Sequence, residues 1–84
     1  MPNPLTETQV PVPNDYTGKT VQWAKNNLAT VDLNIVVSFE NGEFHPPTTD
    51  QLGYTILTNA PGSKKGQLRP HGGNAAVIME QPHA

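Results

Sequence analysis

Between Thr20 and Val31 apolar side chains recur at steps of three and four, at Val21, Ala24, Leu28 and Val31. Gln22, Lys25, Asn26 and Thr30 fall mostly off that line. The spacing gathers one face of a helix and predicts an α-helix over residues 20–31. Thr20 is of the N-cap type, because its hydroxyl can accept a backbone N–H that the first turn leaves unpaired. Asp32 stands where a left-handed residue is expected to end the helix, a place that glycine or asparagine takes more easily. Trp23 lies about 100° from Ala24 around the helix axis, at the flank of the apolar stripe. There it either covers the edge of the core or anchors a partner.

From Leu33 the period changes to two. Leu33–Glu40 is rich in β-branched and aromatic residues, and Ile35, Val37 and Phe39 alternate, which predicts a strand. Asn41-Gly42 signals a turn. Residues 43–53, with Pro46-Pro47 and two threonines, are expected to form an exposed loop. Tyr54–Asn59 is expected as a second strand and Ala60–Gly73 as a loop bearing glycines and lysines. A third strand is expected at about Asn74–Glu80, with Ala75, Val77 and Met79 on one face. Before the helix, Pro2, Pro4, Pro11 and Pro13 favour an extended arm that only Leu5, Val10 and Val12 could anchor. Such an arm is either a frayed terminus or a contact with a neighbouring subunit, with a short strand at Val10–Val12 as an addition. The pattern adds up to an α+β fold: one α-helix packed on a three-stranded antiparallel β-sheet, with an extended N-terminal arm. Its divisions are residues 1–9 for the arm, 10–80 for the domain and 81–84 for a loose tail.

Composition narrows the function classes. The chain has 84 residues, enough for one thin core and too few for a deep catalytic cleft. Hydrophobic residues make up 35%; seven glycines bring the apolar share close to the usual, so the chain is not compositionally disordered. Nine prolines act as punctuation between short elements. The net charge is −2, and of five basic residues only Lys64 and Lys65 are adjacent. Nucleic acid is therefore not expected as a partner, and no charge run suggests a membrane surface. There is no cysteine, and the sequence shows neither a membrane-span pattern nor a secretory leader pattern. A chain that starts at Met1 in this way is expected to have no means of export by itself.

The order of elements and several residues together resemble the PASTA domain of bacterial cell-wall proteins. Val12-Pro13-Asn14 looks like the opening Val-Pro of that family. Gly18 followed by Thr20-Val21-Gln22-Trp23-Ala24-Lys25-Asn26-Asn27-Leu28 is similar to its Gly-x-Thr-Leu-x-x-Ala-x-x-x-Leu helix, and Leu33 matches the apolar residue that closes it. Ile56-Leu57-Thr58-Asn59-Ala60-Pro61 looks like its Val-Ile-Ser-Gln-Ser-Pro strand. Gly66 and Gly72 keep a Gly-x5-Gly spacing before the alternating Ala75–Glu80. The resemblance covers about residues 10–80. Asp32 departs from the usual glycine, Asn59 from the usual glutamine, and Pro61 and Gly66 stand farther apart than Pro-x-x-Gly. What carries over is the fold and not a ligand site.

No motif for catalysis stands out. Glu40, Glu43 and His45 are close in sequence but sit on an expected turn, where solvated charges are the plain reading beside a metal or acid–base role. His71 and His83 are isolated. Pro61-Gly62-Ser63-Lys64-Lys65-Gly66 lacks the spacing and the following helix of a phosphate loop. The expectation is a protein that is not an enzyme, with no cofactor and no metal site. Binding fits better. Val36-Val37, Ile56-Leu57 and Val77-Ile78 are consecutive apolar pairs, and alternation sends one member of each to the sheet face without a helix. The expected partner-binding residues are Val10, Val12, Trp23, Val36, Leu57, Ala76 and Ile78. The expected function is a small accessory protein on a larger assembly such as a phage virion, as a head decoration or tail accessory protein touching capsid or tail subunits. The alternative implied by the resemblance is an extracellular module of a serine/threonine kinase or penicillin-binding protein that binds peptidoglycan fragments. Its location would then be the outer face of the bacterial envelope instead of the virion.

Overall fold

A computed structural model of the chain describes residues 9–81. The arm residues 1–8 and the tail residues 82–84 lie outside the described residues. In chain order the elements are β1 (Gln9–Pro11), α1 (Val21–Ala29), β2 (Asn34–Ser38), a 3-10 turn (Asp50–Gly53), β3 (Ile56–Asn59), β4 (Leu68–Pro70) and β5 (Asn74–Met79).

The stripe expected for the helix is the face it buries. Val21, Ala24 and Leu28 are fully buried, and Val31 packs partly against the same core. Thr20 caps the helix, its Oγ1 accepting the Trp23 N–H at 3.1 Å. Thr20→Ala should therefore lower stability by about 1 kcal/mol, read as a shift of the urea midpoint. Asp32 adopts φ 59°, the left-handed conformation expected of it. Around it the Asp32 N–H donates to Ala29 O and the Leu33 N–H to Leu28 O, the two bonds of a Schellman closure. Leu33 is thereby turned into the core.

The helix lies over a three-stranded sheet of order β2-β5-β3. β3 runs antiparallel to β5, as expected, but β2 runs parallel to it. The sheet is therefore mixed and not wholly antiparallel. The reason is strand order. Direction alternates along the chain, so only the order β2-β3-β5 would give antiparallel pairs throughout. β5 instead enters between the other two, beside a strand that runs its own way. Its sequence Ala75-Ala76-Val77-Ile78-Met79 is apolar without a break, as suits a central strand.

A second, two-stranded sheet pairs β1 with β4, Val10 opposite Arg69. The extra strand near Val10 is present, whereas β4 falls inside the stretch expected to be loop. The pairing continues as Val12 exchanges backbone hydrogen bonds with Gln67 and Gly66. The strap brings Val12 and Tyr16 under the helix, where both are buried. Ile35, Val37, Ile56, Ala75, Val77 and Met79 supply the sheet side of the core. Among the described residues, no helix is long and apolar enough to cross a membrane.

Candidate functional site

The reverse face of the β2-β5-β3 sheet is built by alternation. Ile35 and Val37 point to the helix, so Val36 points away from it, beside its register partner Ala76. One step along β5 from the buried Val77, Ile78 also points away, opposite Ser38 on one side and Thr58 on the other. Val36, Ala76 and Ile78 are each half-buried and form one strip. Lys64 reaches the border of the strip, its Nζ donating to Thr58 Oγ1 at 3.0 Å.

Leu57 does not join the strip. The β3–β5 register shifts between Ile56 and Thr58, and this irregularity gives the place opposite Ile78 to Thr58. Leu57, 39% exposed, is displaced to the end of the sheet. There it lines an open hollow of ≈ 620 Å³ with Phe39, Gly42, Met79 and Glu80. Two more of the expected contact residues belong elsewhere. Val12 is 1% exposed and can touch no partner; it is a core residue, because the β1–β4 strap holds it inward. Val10 is half-buried against the same core.

Trp23 is 42% exposed. Its edge meets the Tyr16 ring at a centroid distance of 5.8 Å, and the Lys19 ammonium lies 5.0 Å from the centroid of the Trp23 ring. It therefore roofs the buried Tyr16 while part of it stays in solvent, and it is remote in the fold from the reverse strip: one lies on the helix, the other on the sheet face turned away from it. Burial pushes the Tyr16 hydroxyl up to about 12, so it stays protonated and donates to Asn27 Oδ1 at 2.7 Å.

The polar centre of the fold was not singled out from the sequence. Asn59, 1% exposed, accepts the Tyr16 N–H at 2.8 Å and donates to Asn14 O at 3.0 Å and Ser63 O at 2.9 Å. Ser63 in turn accepts the Ala76 N–H through Oγ at 2.9 Å. Every buried side-chain polar atom among the described residues has a partner. The available signal was one asparagine at the end of an apolar strand, followed at once by Ala60-Pro61.

Glu40 and Glu43 are exposed, while His45 Nε2 lies 3.1 Å from Gln51 Oε1. Among the described residues, no three His, Asp or Glu side chains come together as metal ligands. The Asp15 carboxyl is held below its ordinary range by the Thr17 hydroxyl and N–H that donate to it, a local turn and not a site. No protein-family model matches the chain, and neither a curated protein nor a solved structure matches it.

Proposed function

We propose that the chain is a non-catalytic binding module that attaches to a larger protein assembly through the reverse face of its sheet. The assembly in this reading is a phage virion, on which the protein serves as an accessory or decoration subunit. The observation that supports it is the Val36/Ala76/Ile78 strip, apolar and only partly buried on the sheet face opposite α1. Water-exposed aliphatic area of this kind gains on being covered: roughly 100 Å² of it contributes about 2.5 kcal/mol to a contact. The strip also has a polar border, Thr58 with Lys64, which can fix the orientation of a partner.

Ile78→Asp places a carboxylate in the middle of the strip and not in the core. It should cut attachment by about tenfold or more, a penalty of at least 1.4 kcal/mol or so. The readout is co-sedimentation of the tagged protein with assembled particles, alongside an amide spectrum that keeps its native dispersion. Attachment equal to that of the parent protein would remove this face from the proposal. Purified muropeptide gives the opposing arm: saturable shifts across residues 33–73 would assign peptidoglycan fragments as the ligand instead.

A further inference from the structure

We propose that the open edge of β2 is a docking site where an extended, carboxylate-bearing peptide segment of another protein adds a strand beside Ile35. The surface is the sheet's edge and not its reverse face, so the inference stands apart from the reading above.

The hydrogen-bond parity of β2 singles out Ile35. Val37 gives and takes backbone hydrogen bonds with His45, at 2.8 and 3.0 Å, on the side away from β5. Asn34 donates to Gly73 O, toward β5. Backbone groups of successive strand residues alternate between the two edges, so Ile35, two before Val37, turns its N–H and C=O to the outer edge. Among the described residues neither group has a partner there.

The chain's own segment stops short for a chemical reason. An antiparallel pairing that starts at Val37 and His45 reaches its next hydrogen-bonded position at Ile35 and Pro47. Pro47 has no N–H to give, and neither has Pro46. A groove of ≈ 650 Å³ opens instead along this edge, walled by Ala29, Leu33, Phe44 and Pro47. Phe44 is 47% exposed beside it.

The groove also states what would fill it. Unpaired backbone donors and acceptors at a strand edge are matched by another extended backbone. The charged side chain lining the groove is Lys25, which has no carboxylate partner among the described residues, although the whole chain carries −2. A residue placed opposite Ile35 would share its sheet face, the helix side where Lys25 stands. That residue is the acidic one, and its two neighbours, on the side of Val36, are apolar. The occupant is thus an apolar–acidic–apolar strand with a free N–H at its centre.

The probe is the blocked peptide acetyl-Val-Glu-Val-Thr-amide, which in antiparallel register with Glu opposite Ile35 has no residue opposite the His45-paired Val37, titrated into the isotope-labelled full chain. Saturable amide shifts are expected at residues 33–36, 44–45 and 25. Methylating the backbone nitrogen of the peptide's glutamate removes one donor and should weaken binding by about tenfold. Lys25→Glu, on an exposed helix position, should weaken it by about fivefold with the spectrum otherwise intact. In the free protein the Ile35 amide should exchange its hydrogen far faster than that of Val37. Equal binding of the methylated peptide, or shifts confined to other parts of the chain, would overturn the proposal. So would strong protection of the Ile35 amide before any peptide is added, since that edge would already be covered by the protein itself.

Discussion

Replacing Asn59 with alanine is expected to lower the unfolding free energy by about 3 kcal/mol. The side chain joins three stretches that share no strand. Its carbonyl takes the Tyr16 N–H, and its amide serves Asn14 O and Ser63 O. With alanine there, one donor and two acceptors lose partners in a place that is 1% exposed. Each loss carries a desolvation cost of roughly 1–3 kcal/mol unless water replaces the amide, so a total near 3 allows for partial relief. Asparagine is chemically specific at this point. Aspartate would keep the acceptor but turn a charge toward two carbonyl oxygens, and leucine would satisfy none of the three groups. Urea unfolding followed by fluorescence of Trp23 measures the change, with the slope as a check that the unfolded state is unaltered. A midpoint within about 0.5 kcal/mol of the parent would mean that Asn59 does not tie the Tyr16 segment to the loop after β3. The reverse face depends on the same tie, because Ser63 holds the Ala76 N–H.

Asn59 marks the limit of what the sequence makes visible. The helix was legible because Val21, Ala24 and Leu28 repeat at its own period and Thr20 caps it, which are local properties. β2 and β5 were legible by alternation, and the left-handed turn at Asp32 by its place after the stripe. Strand order was not. Alternation at Ile35 and Val37 reads the same whether the neighbour is β3 or β5, so the parallel pairing of β2 with β5 had no local signature. The same holds for β4: Leu68-Arg69-Pro70 pairs only because Gln9-Val10-Pro11 lies alongside, a contact of about sixty residues' separation that composition does not reveal. Among the residues expected to bind a partner, Val36, Ala76 and Ile78 share one sheet face, as alternation along the strands implies. Leu57 departs because a register shift in β3 breaks the period, and Val12 because a strap built from two distant segments buries it. The prolines after His45 were read as loop formers. Their other consequence, a β2 edge left open at Ile35, needs the observed Val37–His45 pairing to be seen.

Leu28→Ala is expected to cost about 3 kcal/mol, and Val31→Ala about 1. The two positions look alike as members of one apolar stripe, but their surroundings differ. Leu28 is fully buried in the cluster between α1 and the sheet, whereas Val31 is only partly buried and packs at its border. Truncating Leu28 removes three buried carbons from a close-packed cluster that also holds Ile35 and Val77 on hydrogen-bonded strands, so the cavity can close in only partly. Val31 loses two carbons that already border solvent, so water or a neighbour fills the space. A domain of this size has a total stability of roughly 4–12 kcal/mol, so Leu28→Ala takes a large share of it. Thermal and urea unfolding of the pair of variants settles the order. Equal losses at the two positions, or a loss under about 1 kcal/mol at Leu28, would mean that α1 is not docked on the sheet as described. The distinction between a covered and an uncovered sheet face would then fail, and with it the reason for placing a contact surface at Val36, Ala76 and Ile78.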